Sequence, residues 1–547
     1  MRYIFSLLFS LLLVSTVAQT PRIEYKFRVY LTDKGTTNYC ISQPERFLSR
    51  TAIERRSRQN VAISETDLPI SRDYFTLLER AGGRIVTHSN WFNTIVIQVP
   101  DSARIGTIVQ LSFVDSVRLV WRGYDTYRRT AVRPRLVASA DNERCDNFFG
   151  RTADQFALHN AKPMIKAGFR GEGIRIGVAD AGFANVDVIP YFNSLNLGGF
   201  RNFVPRGEVF AGAGDHGTRV LSTMSVYQPG LMIGSAPDAT FWLMTTEDMA
   251  SEFPVEEDYW VRAVEFADSI GLDIINTSLG YTTFDDPSMN YTHADLTGRV
   301  AFISRAADKA FHKGMLLVVS AGNAGNREWQ KISTPADAHY VIAVGATDSD
   351  GVIAPFSSLG PTADGRIKPD LVSVGRETVV IAQNGAVRTG SGTSFSSPFL
   401  AGLIASLWSI NPALHRSEVI DIVKRSADRF HAPDTVFGHG IPDFQKAMTE
   451  MLRTLEVHTA DISENVWRIE RTMAGYTVSH VGSIFLSNNP PTFSLLDERG
   501  NLLSAHVFCY EMPSVFVPVS SDVRAKNAYL HFVLNELSGQ RVFRVRI

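Results

Sequence analysis

The sequence has few cysteines, no surplus of either charge and, beyond its first twenty residues, no long apolar run. Three cysteines in 547 residues, Cys40, Cys145 and Cys509, are too few for a disulfide framework, so we expect stability from a packed core. Lys and Arg total 54 against 56 Asp and Glu, which argues against nucleic acid as a partner. No later segment reaches membrane-spanning length, so we predict no membrane span.

Sequence patterns for metal and nucleotide chemistry are also missing. Neither HExxH nor the P-loop GxxxxGK[ST] occurs, which counts against a zinc protease and an NTPase. The segment TDSDG at 347–351 is similar to the start of a calcium loop but lacks the downstream ligands, so a hairpin turn is favoured. We predict no metal site. A structural calcium stays open, although nothing in the sequence indicates one.

The N-terminus, MRYIFSLLFSLLLVSTVAQT, combines a basic start with a short apolar run and the small residues Thr16-Val17-Ala18. This pattern is typical of a secretory signal peptide that is cleaved after Ala18. The apolar run is too short to favour a transmembrane anchor, and no Cys follows the cleavage site to carry a lipid. We therefore predict a signal peptide at 1–18 and an exported protein, whether extracellular, bound to the cell surface or periplasmic.

Three different patterns divide the remaining chain into domains. Residues 19–130 show the order β-α-β-β-α-β of a split ferredoxin-like unit, and the Arg-rich stretch 49–60 within them is interpreted as a solvated helix face. Residues 131–450 begin with a polar, Arg-dotted linker and continue as short apolar runs alternating with helical stretches, which predicts a parallel sheet with helices on its faces. Residues 455–547, with a DERGN turn, predict a small antiparallel β-sandwich-like domain.

Three motifs fall at strand and helix ends, where the working site of a parallel α/β sheet lies. VADAGF ends a strand at Asp180, DHGTRV places His216 at a helix start, and GTSFSSP places Ser394 at another. Singly, such residues more often cap helices or face solvent. Together they provide a nucleophile, a base and a group that orients the base. The order Asp…His…Ser distinguishes this arrangement from other convergent triads, and the G-x-S-x-G elbow is absent around Ser394.

These motifs resemble those of the subtilisin-like (subtilase) serine endopeptidases over about 150–445. By that resemblance, SAGNAG at 320–325 gives Asn323 the role of side-chain oxyanion donor, although Asn in such a context is by itself usually a turn residue. NTSLG at 276–280 resembles the strand that lines the primary specificity pocket. The predicted substrate-binding residues are Ser278, Leu279, Gly280 and Ala324. None is acidic, so the sequence favours large apolar or aromatic side chains in this pocket over Lys or Arg.

The resemblance implies an α/β subtilisin-like parallel-sheet domain, preceded by a ferredoxin-like α+β prodomain and followed by a small all-β domain. It implies a secreted serine endopeptidase that is made as a zymogen and forms an acyl-enzyme with protein or peptide substrates. Residues 19–130 would then assist folding and act as an intramolecular inhibitor until they are removed. No cofactor is expected for the chemistry. The sequence departs from many members at Arg219, where a second His is common, and at Ala181, where Ser or Thr is common.

Two other classes of function stay open. A catalytically inactive subtilase-fold binding or scaffolding protein is less favoured, because Asp180, His216, Asn323 and Ser394 are all present. A secreted carbohydrate-binding protein would depend on the C-terminal β domain alone and would leave the triad unexplained. That β domain weakly resembles the C-terminal sorting domains of some exported bacterial proteases, and an accessory binding or stability module is an equal alternative.

Overall fold

The structure is a computed structural model, and it describes most of the chain. The described residues are 23–124, 135–136, 147–205, 207–211, 214–458, 462–463, 467–472, 475–480, 491–507, 514–518, 529–536 and 539–546. The predicted signal peptide, most of the predicted linker, Cys145 and Cys509 lie outside them. Within the described part of the chain, every helix is too short or too polar to cross a bilayer.

The N-terminal domain is a four-stranded antiparallel sheet covered on one face by helices. Its elements are β1 (Ile23–Leu31), α1 (Arg50–Arg58), α2 (Arg72–Arg80), β2 (Arg84–Ser89), β3 (Thr94–Val99), α3 (Ile105–Ile108) and β4 (Val114–Tyr124). The sheet order β2-β3-β1-β4 is that of the predicted ferredoxin-like unit. Alternation along β1 turns Phe27 and Val29 toward the domain's own core and turns Lys26 and Arg28 toward the central domain.

The central domain is built on a seven-stranded parallel sheet of order β13-β12-β11-β10-β5-β9-β6. Its strands are β5 (Arg175–Asp180), β6 (Leu197–Asn202), β7 (Tyr227–Gln228), β8 (Met232–Ile233), β9 (Thr240–Thr245), β10 (Ile274–Thr277), β11 (Leu316–Ser320), β12 (Ile342–Thr347), β13 (Leu371–Val374), β14 (Thr378–Ile381) and β15 (Val387–Gly390). Its helices are α4 (Ala153–Leu158), α5 (Lys162–Lys166), α6 (His216–Ser225), α7 (Val255–Ile270), α8 (Phe302–His312), α9 (Thr393–Trp408), α10 (Arg416–Ser426) and α11 (Phe444–Arg453).

Alternating side chains of the parallel sheet build two separate cores. In β11, Leu316 and Val318 join the cluster formed with α6, α9, α10 and α11. Leu317 and Val319 of the same strand join the opposite cluster, formed with α7 and α8. A strand buried on both faces reads as a continuous apolar run, which is why five of the seven strands are visible in the sequence. β6 is not, because its sequence LGGFRN is largely exposed at the sheet edge.

The Arg-rich stretch 49–60 is solvated on only one side, around Arg50, which corrects the interpretation from sequence for Arg55 and Arg56. α1 packs against α7, and the guanidinium groups of Arg55 and Arg56 are fully buried there. Both bind Asp268 of α7, and Arg56 also binds Asp67 at 2.8 and 2.9 Å. Local sequence cannot show that carboxylates more than two hundred residues away will neutralise these charges.

The C-terminal domain consists of two sheets around a shared apolar core that includes Trp467 and Phe532. Its strands are β16 (Val457–His458), β17 (Ile462–Ser463), β18 (Trp467–Arg471), β19 (Gly475–His480), β20 (Thr492–Leu496), β21 (Leu502–Val507), β22 (Ser514–Pro518), β23 (Tyr529–Glu536) and β24 (Gly539–Arg546). These strands pair antiparallel except for β16, which runs parallel to β24. The predicted DERGN turn joins β20 to β21, with Asp497 N–H donating to Asn501 C=O at 3.0 Å. The all-β prediction is confirmed for the described residues.

Candidate active site

Asp180 and His216 meet at the carboxyl edge of the parallel sheet. Asp180 is the last residue of β5 and is 1% exposed, while His216 begins α6 and keeps 37% of its side chain open to solvent. His216 Nδ1 and Asp180 Oδ1 are 2.8 Å apart, and the same oxygen accepts the backbone N–H of Ala181 at 2.8 Å. This contact fixes the ring and leaves the other nitrogen, Nε2, for a reacting group.

The electrostatics at His216 favour its protonated form more than in water. Burial opposes the charged ring, but the charge of Asp180 and the hydrogen bond to it outweigh that penalty, so the pKa of His216 is raised. Asp215 raises this pKa further, and Arg219 lowers it. Arg219, at the position where the sequence departs from many relatives, forms an ion pair with Asp215 at 2.5 Å. The two residues that flank the base therefore largely neutralise each other.

A second carboxyl near Asp180 has a raised pKa. Burial raises the pKa of Glu247 to about 8, and the charges of Glu252 and Asp180 add to this, although the hydrogen bond from the Tyr281 hydroxyl at 2.7 Å opposes it. The shift favours the protonated form of Glu247, so this carboxyl adds less negative charge near the imidazole than an exposed glutamate would.

Ser394 lies in the first turn of α9, where backbone N–H groups have no intrahelical acceptor. It is 8% exposed, and its hydroxyl donates to the carbonyl of Ser278 at 3.3 Å. The Ser278 hydroxyl in turn donates to the carbonyl of Ser394 at 3.0 Å, which ties the end of β10 to the start of α9. In this conformation the Ser394 hydroxyl donates to the carbonyl of Ser278 and makes no hydrogen bond to His216.

The other hydroxyls of GTSFSSP hold α9 in place. Ser397 donates to Asn276 Oδ1 of β10 at 2.8 Å, and Ser396 donates to the carbonyl of Thr393 at 3.0 Å. Thr393 accepts the backbone N–H of Gly322 at 3.2 Å and donates to Asn323 Oδ1 at 3.0 Å. These bonds account for the hydroxyls around Ser394 as capping and packing groups.

Asn323 follows the end of β11 and faces α9. Its Oδ1 accepts the backbone N–H of Thr393 at 2.8 Å, and because that N–H can only donate, the orientation of the amide is fixed. The side-chain NH₂ is thereby turned away from Thr393, and Asn323 itself is exposed to the cleft. The geometry suits a donor aimed at an oxygen that develops negative charge next to Ser394.

A cavity of about 210 Å³ opens beside Ser394, and all four predicted substrate-binding residues line it. Gly280 keeps it open, since a Cβ there would approach the Ser333 hydroxyl to 2.3 Å. Eight of the fourteen lining residues were not predicted, because most of them come from segments without a recognised motif and the others stand beside motif residues that had been given no role. The lining residues not predicted are Thr282, Ser320, Gly322, Arg327, Trp329, Lys331, Ser333 and Ser358.

Strand β4 of the N-terminal domain contacts two segments that extend from strands of the central sheet. Trp121 donates its indole N–H to Ser251 at 3.3 Å, in the segment that follows β9, and Arg122 pairs with Asp286 at 3.2 Å, in the segment that follows β10. The first of these segments begins beside Asp180, where Thr246 N–H donates to the carbonyl of Asp180 at 3.0 Å. The residues that follow β4, 125–134, lie outside the described part.

Metal-ligating side chains do not gather in the described part of the chain, where no three His, Cys, Asp or Glu residues are placed to hold an ion. The TDSDG segment is a tight turn, with the N–H groups of Asp350 and Val352 bound to Asp348 Oδ1. That no cofactor is needed stays a prediction.

Comparison with known proteins gives two family matches. The subtilase family matches residues 171–440, and the peptidase S8 propeptide domain of Bacteroidota matches residues 26–133. Subtilisin DY of Bacillus licheniformis is 28% identical over 52% of this chain and 96% of its own length. The minor extracellular protease Epr of Bacillus subtilis is 26% identical over 55% of this chain and 43% of its own length. The crystal structure of the epidermin leader peptide processing serine protease of Staphylococcus aureus matches in fold, with a TM-score of 0.53 and 16% identity over 78% of this chain and 98% of that one.

Proposed function

Because this chain belongs to the subtilase family of serine endopeptidases, we propose that it is a working zymogen whose nucleophile is Ser394, with His216 as base and Asp180 as the group that orients the base. The observation that carries the proposal is the 2.8 Å contact between Asp180 and His216, placed where α9 presents Ser394 to a cavity. The substrates are proteins or peptides. The products are the two fragments of a hydrolysed peptide bond.

Each step of this chemistry has a group to perform it. His216 Nε2 takes the proton from the Ser394 hydroxyl as that oxygen bonds to the substrate carbonyl carbon, and His216 then gives the proton to the leaving amine. Asp180 stabilises the imidazolium that exists between these two transfers. Water, activated by the same ring, then releases the acid product from the acyl-enzyme.

The negative charge on the attacked carbonyl oxygen needs donors that are already in place. The backbone N–H of Ser394, at the positive end of α9, and the side-chain NH₂ of Asn323 are the two candidates. The hydrogen bonds of Asn323 Oδ1 to Thr393 hold this amide in one orientation before substrate arrives. Such preorganisation is what makes an oxyanion site effective.

The N-terminal domain serves as the inhibitor of this site in the zymogen. The propeptide match at 26–133 supports this role, and so do the contacts of β4 with the segments that follow β9 and β10. Export of the protein is supported by the signal-like N-terminus and by a relative that is an extracellular protease. Processing within the linker ends the covalent attachment of the inhibitor, which can then dissociate, because exposed linkers are where nicking concentrates.

A fluorophosphonate probe tests the proposal directly, since it forms an adduct only with an activated serine. We expect one adduct, mapped by peptide mass spectrometry to Ser394, after the N-terminal domain has been removed. Ser394→Ala should abolish the adduct, while the exposed neighbour Ser391→Ala should retain it. If no adduct forms on the processed wild-type protein, the chain is instead a subtilase-fold binding or scaffolding protein.

The oxyanion assignment has its own test. Asn323→Ala should lower kcat by roughly 10²–10³-fold with little change in KM, an order of magnitude known for the equivalent change in subtilisin itself. A raised KM with kcat intact would mean that Asn323 binds substrate and does not stabilise the transition state.

A further inference from the structure

The cavity beside Ser394 has a wall that carries positive charge and no negative charge. Arg327 and Lys331 line it, and no carboxylate does. Glu328 belongs to the same loop, but it is exposed and does not contribute to the wall. The four lining residues expected from the sequence are all uncharged, so the electrostatic character of the pocket comes from the segment 327–333.

Lys331 is directed into the pocket by the backbone on which it stands. Residues 331–333 are extended, and Lys331 bridges to Leu359 in parallel register. Alternation therefore places Lys331 and Ser333 on one side, where both line the cavity, and Ile332 on the other, where it joins the core under α7 and α8. This arrangement makes Lys331 part of the wall and not a surface residue that happens to lie nearby.

The ammonium group of Lys331 is half-buried and lacks a negative partner. It donates to the carbonyl of Gly360 at 2.6 Å, and no carboxylate of the described chain lies within ion-pair distance of it. An ammonium has three donors, so two remain for a ligand. Arg327, at the exposed rim, likewise has no carboxylate partner among the described residues.

Hydroxyl groups line the same cavity. Ser333 and Ser358 are both buried, and the Ser358 hydroxyl accepts the backbone N–H of Ala324 at 3.0 Å. Gly322 has a φ of 112°, and a Cβ at that position would approach the Ser358 hydroxyl to 2.8 Å, so this part of the wall stays free of side chains that would cover the hydroxyls. A bound apolar side chain would take water from these groups and return no hydrogen bond, which carries an energetic cost.

We propose that this pocket accepts an acidic side chain, so that the enzyme cleaves the peptide bond after glutamate or aspartate. A carboxylate supplies what the wall lacks: a counter-charge for Lys331 and Arg327 and an acceptor for the serine hydroxyls. The specificity differs from the apolar preference expected from the sequence, because that expectation considered only one side of the pocket. The proposed acidic specificity rests on the proposed function, since cleavage by Ser394 is the readout.

Matched peptides that differ only at the residue before the scissile bond give the test. The processed enzyme is assayed with Glu, Gln, Leu, Phe and Lys at that position, with the Glu/Gln pair isolating charge at nearly constant shape. We expect kcat/KM for Glu to exceed that for Gln roughly 10–100-fold, the range for a hydrogen-bonded charge. The ratio should fall as salt rises, because the rim of the pocket is open to solvent.

Substitution of the two cations locates the effect. Lys331→Met should bring the Glu/Gln ratio close to one, and Lys331→Glu should turn the preference toward the Lys peptide. Arg327→Met should lower the ratio less, because Arg327 is exposed and better screened. Lys446→Met is the matched control, since this lysine is 70% exposed on α11, and it should leave the ratio unchanged.

Labelling of Ser394 by the fluorophosphonate distinguishes failure of the proposed acidic specificity from failure of the proposed catalytic function. An enzyme that is labelled but prefers Leu or Phe overturns the acidic specificity and leaves the proposed function standing. A Glu preference that survives in labelled Lys331→Met overturns the role of Lys331. Absence of labelling in the processed wild type overturns the function and the specificity together.

Discussion

The peptidase domain is contacted on two sides by domains that use different chemistry. The N-terminal domain docks on α7 and α8 through buried ion pairs. The C-terminal domain docks near α9 and α11 through hydrogen bonds to backbone carbonyls and a shared apolar core, without an ion pair among the described residues. The difference matters because the proposed function requires the first domain to leave and makes no such demand on the second.

Charge concentrates at the N-terminal contact. Arg28 of β1 binds both carboxylate oxygens of Asp258 at 2.6 and 2.7 Å, and all of these groups are buried. Lys313, just after α8, binds Asp67 at 2.6 Å. Glu265 of α7 accepts the backbone N–H groups of Asn90 and Trp91, each at 3.0 Å. Aromatic side chains such as Trp121 add apolar area, but the polar pairs determine the register of the two domains.

The C-terminal contact has another composition. Leu496 and Val533 belong to the same buried cluster as the residues of α9 and α11. The described hydrogen bonds across the contact include Gln540 to the carbonyl of Gly168 and Gln445 to the carbonyl of Arg499, both at 2.8 Å. Separation would expose a piece of the peptidase core to water.

The two contacts differ in a way that fits an N-terminal domain that is removed and a C-terminal domain that stays attached. Charged groups that lose their partners are solvated when a contact opens, which offsets part of the cost of separating the N-terminal domain. An apolar contact has no such compensation and behaves like the interior of a single domain. The following predictions test this difference, beginning with the largest expected effect.

In the Ser394→Ala variant, both the N-terminal and the C-terminal domain should stay covalently attached to the central domain. Loss of a triad member costs about 10⁶-fold in kcat in subtilisin itself, so self-processing should stop and the N-terminal domain should stay covalently attached. Gel analysis of purified protein gives the measurement, with Ser391→Ala as control. Wild-type protein should lose roughly 110–130 residues, judged from the linker position. If Ser394→Ala is processed just as fast in a pure preparation, another group cuts the chain.

Asp268→Asn should loosen the N-terminal contact without touching the fold of the N-terminal domain. It removes the charge shared by Arg55 and Arg56. Arg56 keeps Asp67 as a partner, but Arg55 is left buried without a carboxylate, and breaking a buried ion pair in this way costs about 3–5 kcal/mol. After processing, the cleaved domain should no longer co-elute with the enzyme in gel filtration. Arg50→Met, which alters a side chain 92% exposed, should leave co-elution intact.

Leu496→Ala should weaken the C-terminal contact by about 2–5 kcal/mol, because it leaves a cavity in a buried apolar cluster. Limited proteolysis near residues 454–456 and the Tm of the processed enzyme measure this effect. The loss should be the same at low and high salt, because the substitution alters no charge. Leu503→Ala, at a leucine 48% exposed on β21, is the matched control. A loss that varies with salt would contradict the apolar character of this contact.

Low pH should slow the cleavage that separates the N-terminal domain from the rest of the chain. His216 must be neutral to act as base. Its pKa is raised above the ordinary value of about 6.5, because the charge of Asp180 and the hydrogen bond to it outweigh burial. Below that raised pKa, processing should slow about tenfold for each pH unit. Asp215→Asn should move this acid limb to lower pH by removing a charge that raises the pKa. The rate of N-terminal processing between pH 5 and 9 is the measurement. A profile flat down to pH 5 would point to another base.

The sequence predicted the features that depend on short-range pattern. Apolar runs revealed the central strands, and alternation revealed the ferredoxin-like sheet. The motifs around Asp180, His216, Asn323 and Ser394 could be found because they stand at strand and helix ends, where a parallel sheet brings distant segments together. Their roles stay predictions until the probe and the variants above are tested.

By itself, then, the sequence determined the layers of the fold, the three-domain order and the location of the candidate site. Only the tertiary structure decided that Arg55 and Arg56 are buried and that Lys331 faces the cavity beside Ser394. The physical reason is that burial of apolar runs follows local periodicity, whereas the environment of a charge depends on partners that the fold brings from far along the chain. The sequence alone does not show whether a given lysine or arginine faces water, a carboxylate or a substrate.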